Sequence, residues 1–419
     1  MFAITTVSAI EFGRPLDDLH ENEPERKKFL NSLSTETVLA LLCSNPEYFY
    51  TSSNHMLFDR LKSDLKGKKV SDLLLELGGV SFDSELGRNF LFRAINYDRT
   101  YGRDNSMLSK SEASEAVGAI LKPLESGSFN PPYYFLLANG LENIISTGSI
   151  KRESIYLKIG HRLNETRAGN ISGANDNLVR ALEYLLVTVS PETTLVSDAN
   201  KQAILSLKEM TKYNPESYRN KDGFVTAIQV YDKEDTGDYN WSESQRRFSE
   251  EMGKPQTGSN GELIYTKGKN RVILYMGQNA EENQSFIRNS LEQYRNLIFT
   301  FRGHSYSLEE NFPSTIFSSH EGNILFIPGS CGSAGSTAAY IASSPKSNLS
   351  FVSNTSTGRG RVTDTILLSL LNTKKKEEFT SILADSSSTI EDFGGDLQTI
   401  KFSSQGEMLL RYALAGSAR

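Results

Sequence analysis

Cysteine is almost missing from this sequence: among 419 residues only Cys43 and Cys331 occur. A disulfide scaffold is therefore excluded as a source of stability, and a reducing compartment is the simpler reading. Histidine is scarce too, with His20, His55, His161, His304 and His320 making up the full set. A zinc site drawn from His304, His320 and Cys331 would lack the close paired spacing such sites use. We expect no metal and no organic cofactor. No apolar run approaches the roughly 18–20 residues that cross a bilayer, so no membrane association is expected. The opening Met1–Ile10 is mildly apolar but has no basic stretch before it. The cytoplasm is the expected location, with secretion left open for a chain trimmed of a signal. A surplus of positive charge is also absent. The formal net charge is -6, and the basic run Lys374–Lys376 is followed directly by Glu377 and Glu378. Nucleic acid is therefore not an expected partner.

What is present suits two domains. The length exceeds one ordinary small domain, and 38% hydrophobic with 10% aromatic residues suffices for real cores. Residues 1–215 read as an α-helical domain. Ser109 and Glu112 fit a capping box, and Ala116, Val117, Ile120, Leu121 and Leu124 follow at helical spacing, with Pro123 set to end or bend that helix. Leu178, Leu182, Leu185 and Leu186 form an apolar stripe. Ser190-Pro191-Glu192 predicts another helix start, with Ile204 and Leu207 on the helix after it.

The character changes at Asn214–Gly223, polar and carrying Pro and Gly, which reads as a linker. Beyond it, over 216–419, strand and helix signals alternate. Strands are predicted at 224–231, 271–276, 297–303, 323–329 and 349–352, and helices at 241–252, 285–294 and 361–371. The tail, with an apolar stretch at 397–402 and a helix from about Gln405, is harder to place. The fold class expected is α plus α/β: a helical domain, then a mainly parallel sheet with helices on both faces.

Two phrases in the second half carry chemistry. Leu297-Ile-Phe-Thr-Phe-Arg-Gly-His304 and Asn323-Ile-Leu-Phe-Ile-Pro-Gly-Ser-Cys331 are apolar runs that end in a histidine and a cysteine. Such runs read as buried parallel strands, whose working residues sit just beyond the carboxyl ends. Neighbouring strands would bring an imidazole and a thiol to one edge, as a cysteine nucleophile and its acid/base partner require. Other chemistries fit less well. Gly329–Thr337 has no lysine, so it is no phosphate loop, and Ser333 stands where a nucleophile elbow needs Gly. No histidine follows Cys331, which goes against the hydrolase and papain-like orders.

The surviving histidine-then-cysteine order, in this strand context, resembles the caspase-like cysteine peptidases (clan CD). That superfamily also takes in legumain, clostripain, gingipain, separase and the metacaspases. The likeness is carried by Phe299–Ser305 and Ile324–Cys331 and covers about 224–371. It implies a cysteine endopeptidase acting on a protein or peptide. Cys331 would attack the scissile carbonyl, His304 would protonate the leaving amine, and the backbone N–H groups of Ser305 and Cys331 would hold the oxyanion. The family often has Gly where Ser305 stands, although serine also offers its N–H. The loop Ser353–Arg361 would help to bind substrate, with Arg359 the nearer contact and Arg361 beside it, favouring acidic or small polar residues at the cut site. The helical half would present substrates, bind a regulatory partner or restrain the peptidase. Two other readings stay open: a structural cysteine in a tight turn, and a catalytically silent caspase-like fold acting as a protein-binding module.

Overall fold

The computed structural model describes residues 23–44, 51–101, 107–126, 128–147, 152–303, 305–329, 336–344, 348–354, 360–392, 397 and 400–415. The chain forms two compact units, divided between Ile204 and Leu205, with Tyr412 belonging again to the first.

Among the described residues of the first unit the elements are helices, including Thr35–Cys43, Glu85–Tyr101, Lys110–Leu121, Arg152–Arg167 and Asp176–Val189. Their ends follow local chemistry. Ser109 and Glu112 close the expected capping box, and a 3-10 turn, Lys122–Ser126, takes over at Pro123. Leu178, Leu182, Leu185 and Leu186 are all fully buried. The helix expected from Pro191 begins later, at Asp198. Ser190 turns the chain instead, its carbonyl accepting from Thr193 N–H, and Ser197 caps the helix through Asn200 N–H.

The second unit is a mixed helix–strand structure on a mainly parallel sheet. Its elements run β1 (Val225–Tyr231), α1 (Lys233–Met252), β2 (Gln256–Thr257), β3 (Leu263–Lys267), β4 (Asn270–Met276), α2 (Ala280–Gln293), β5 (Leu297–Arg302), α3 (Ser305–Asn311), β6 (Asn323–Pro328), α4 (Thr337–Ser343), β7 (Asn348–Asn354), α5 (Gly360–Asn372), α6 (Phe379–Ala384) and β8 (Ile400–Phe402). The spatial order is β8-β7-β6-β5-β1-β4-β3-β2. The five strands β7, β6, β5, β1 and β4 are parallel, and the others are antiparallel additions at the two edges. The expected strands and helices are all found. The hairpin β3–β4, turned at Gly268 with φ +61, and the placing of the tail as edge strand β8 are new.

Counted in chain order, the five parallel strands lie as 2-1-3-4-5, which is doubly wound: the order reverses direction between β1 and β5. Such strands are covered on both faces, and β1 is buried at every position. One face packs Ala227, Tyr231, Ile298, Leu325 and Ile327 with Val362, Ile366, Leu367 and Leu370 of α5. The other is aromatic. Phe312 lies 4.8 Å from Phe326 and 5.8 Å from both Phe299 and Phe301, with Tyr340 5.3 Å from Phe326.

The stretch Asn214–Gly223 is built into this unit. Lys212–Tyr213 pairs with Glu377–Glu378, Tyr213 stacks on Tyr218 at 5.5 Å, and both tyrosines belong to the core. Asn220 and Asn296 exchange hydrogen bonds, Asn220 Nδ2 to Asn296 O and Asn296 N to Asn220 Oδ1. In full-length protein Tyr213→Ala should therefore cost about 3–5 kcal/mol, as for other buried aromatics. A loss below about 1 kcal/mol in urea unfolding would mean that this stretch is only a tether.

The helix Gln405–Leu414 carries a buried carboxyl, Glu407, which accepts from Arg411 Nε at 3.2 Å and Nη2 at 3.1 Å. Burial raises its pKa from 4.5 to about 7. Through that window the folded state holds a proton that the unfolded state has released. Stability is thus greatest below the lower value and falls as pH rises, by about 1.4 kcal/mol per unit at the steepest. Glu407→Gln should flatten this fall, checked by urea midpoints at about pH 5 and about pH 7.

Candidate active site

The carboxyl ends of β1, β4, β5, β6 and β7 form one edge of the sheet. At its centre β5 and β6 are in parallel register from Leu297–Ile324 to Phe301–Pro328. The pairing continues one step further, with Gly329 N–H donating to Phe301 O at 3.1 Å. Side chains have no room here. A Cβ on Gly329 would stand 2.6 Å from Phe301 O and 2.8 Å from Thr363 Oγ1. One on Gly303 would run into the Phe301 ring and come within 2.9 Å of Asp232 Cβ. Both glycines are thus explained by close backbone approach.

Asn283 of α2 clamps the same edge. Buried, it accepts from Gly277 N–H at 2.9 Å and donates to Tyr231 O at 2.9 Å and to Asn311 Oδ1 at 2.6 Å. The end of β1, the end of β4 and the helix that follows β5 are thereby tied together by one satisfied amide.

Beneath the edge, on the α5 face, lies a polar cluster. Asp364 is 1% exposed. Its carboxylate accepts from Gln229 Nε2 at 2.9 Å, Ser244 Oγ at 2.9 Å and Arg247 Nη1 at 3.2 Å. Burial still raises its pKa, against the opposing pull of Arg302, Gln229, Arg247 and Ser244. Arg302, the last residue of β5, is buried, and its Nη1 donates to Gly329 O at 3.4 Å.

His304, Cys331 and Arg359 lie outside the described residues. Ser305 opens α3 directly after β5. Arg361, in the first turn of α5, is ion-paired to Glu243 Oε2 at 3.0 Å, and its carbonyl accepts from Arg247 Nη1 at 3.2 Å. Cys43 is fully buried in its helix, and burial pushes its thiol up to about 12. His320 Nε2 donates to Arg295 O at 2.7 Å, at the opposite end of β5 and β6. Sequence reasoning did not single out Arg302, Gln229 or Asp364. The available signal was polar residues inside apolar runs: Gln229 in Val225–Tyr231 and Arg302 closing Leu297–Phe301.

No protein-family model matches the sequence, and no curated protein or solved structure matches it significantly.

Because the carbonyl of Phe301 cannot yield, Gly329→Ala should splay the ends of β5 and β6 and destabilise the fold by about 1–3 kcal/mol. A calorimetric scan with an unchanged melting temperature would mean that this edge has slack.

Proposed function

We propose that the protein is a cysteine endopeptidase with Cys331 as nucleophile and His304 as general acid and base. One observation carries the reading. Phe301 and Pro328 are the last partners of the β5–β6 ladder, and His304 and Cys331 each stand three residues beyond them in the chain. Two central strands that end together suit a two-residue constellation better than a lone structural cysteine does. The edge also lies where a doubly wound sheet binds ligands, beside the reversal between β1 and β5.

In this reading the Cys331 thiolate attacks the scissile carbonyl carbon, forming a C–S bond while the carbonyl oxygen takes up the electron pair. The N–H groups of Ser305 and Cys331 receive that oxyanion. His304 gives its proton to the amide nitrogen, the C–N bond breaks, and a thioacyl enzyme remains. Water then attacks the thioester, losing its proton to His304, and the thiolate leaves. The close-packed glycines Gly303 and Gly329 keep bulk away from a substrate backbone approaching the edge. The finer fold assignment belongs with this reading: a helical N-terminal domain, and a second unit like the caspase-like peptidases. The helical part presents substrate or binds a regulatory partner.

Cys331→Ala should abolish cleavage of a mixed peptide library, and His304→Ala should lower it by several orders of magnitude, since the pair acts as a unit. Iodoacetamide should label Cys331 ahead of Cys43, whose buried thiol stays protonated. A wild type that cleaves nothing and shows no selective labelling would leave the binding-module reading in its place.

A further inference from the structure

Backbone pairing between β5 and β6 stops at Gly329. Its N–H donates to Phe301 O at 3.1 Å, but the next rung of a parallel ladder, Gly303 N–H to Gly329 O, is not made. A side chain takes that carbonyl instead, with Arg302 Nη1 donating to Gly329 O at 3.4 Å. Arg302 and Gly329 are also the residues two places before His304 and Cys331 in the chain. One side-chain hydrogen bond thus joins the two segments that leave the edge toward the candidate dyad.

Arg302 is itself held on other sides. Its carbonyl accepts from Asp232 N–H at 2.9 Å, which ties it to the end of β1. It stands in register with Tyr231, so its side chain lies on the α5 face of the sheet. There a Cβ on Gly360, at the start of α5, would overlap its Nη2. The Asp364 carboxylate, hydrogen-bonded to Gln229, Ser244 and Arg247, is close enough to feel its charge. The residue is only 5% exposed. Burying a guanidinium costs free energy that an apolar side chain would not. What arginine offers in return is a rigid plate whose donors point in fixed directions, so that it can hold a neighbouring carbonyl in one place.

We propose that Arg302 is a positioning residue: by holding Gly329 O from the end of β5, it sets the approach of the Cys331 thiol to the His304 imidazole. The role rests on the reading of His304 and Cys331 as a dyad. Strand pairing fixes both segments up to Phe301 and Gly329, and the Arg302 side chain carries that constraint one rung further. Without it the Gly329 carbonyl is free to turn, and the thiol no longer meets the imidazole at one distance. A thiol that loses its imidazolium partner is less readily ionised.

The test reads the thiol directly in the full chain. Iodoacetamide is applied from about pH 5 to about pH 10, and the alkylation rate of Cys331 is followed by peptide mass spectrometry. Only the thiolate reacts, so the midpoint of the rate profile reports ionisation of the thiol. In the wild type it should lie well below the ordinary value of about 8.5, and His304→Ala should return it there. Arg302→Met, which keeps the length but no donor, should raise the midpoint by about one pH unit. Arg302→Lys, which keeps a donor for the carbonyl, should raise it less. Loss of a nearby cation would also raise the midpoint by its field alone, so the double variant decides. In His304→Ala, where no imidazole is left to place, adding Arg302→Met should shift the midpoint far less. An equal shift in both backgrounds overturns the positioning role. Gly360→Ala, which presses on the guanidinium without altering it, should move the midpoint the same way, and it decides if Arg302→Met does not fold; no movement there overturns the role. A wild-type profile that coincides with that of His304→Ala shows no dyad and sinks the peptidase reading along with the role. A wild-type midpoint well below it that Arg302→Met leaves unmoved sinks the role alone.

Discussion

A parallel pair such as β5 and β6 cannot be joined by a tight turn, because the chain must travel back to the starting edge before it can pair again. Each strand therefore releases its following residues at the same edge. With five parallel strands, Asp232, Gly277, Gly303 and Gly329 come to neighbouring places although nearly a hundred residues separate the first from the last. The edge is then stiffened from both sides. Asn283 binds the ends of β1 and β4 to α3, and the aromatic layer of Phe299, Phe301, Phe312 and Phe326 fills one face of the strands beneath. Residues released at such an edge start from positions that strand pairing fixes.

The opposite face is less uniform. Among apolar residues of β1, β5 and α5 sit Gln229, Arg302 and Asp364, with Ser244 and Arg247 from α1. Replacing a buried ionic group by apolar residues is often neutral or stabilising, so such a cluster is weak evidence for stability. It lies directly under the carboxyl edge, where Arg302 ends β5 in register with Tyr231 at the end of β1. Gln229 also donates to the Tyr231 hydroxyl at 2.6 Å, which ties the network to the end of β1.

Much of the second unit was legible because strands buried on both faces read as plain apolar runs, and Val225–Tyr231, Leu297–Arg302 and Asn323–Pro328 do so. β3 escaped because it is a partly exposed strand, with only Tyr265 buried, so its side chains give no continuous run. The supposed linker misled for a related reason. Asn214–Gly223 is polar residue by residue, yet the burial of Tyr213 and Tyr218 depends on partners far along the chain. At Pro191 the helix-start signal was outcompeted by Ser197, a better cap nearer the apolar positions. Arg302 was the least legible of all. An arginine closing a strand reads as a solvent-facing cap, and only the packing of α5 over that face buries it.

The sheet finishes in very little at either side. Its outermost strands, β2 and β8, are two and three residues long, and both run antiparallel to their neighbours. An exposed strand edge is a template on which a foreign chain can build, and proteins blunt it by keeping the last strand short. Here the long, β-branched and aromatic strands that would make the most adhesive edges are all interior. Among the described residues β8 covers only Val352–Asn354 of β7 and β2 only Leu263–Ile264 of β3, so only the first residues of β7 and the last of β3 are left uncovered. The apolar segments that make the core thus carry little risk of edge-to-edge aggregation once they are folded.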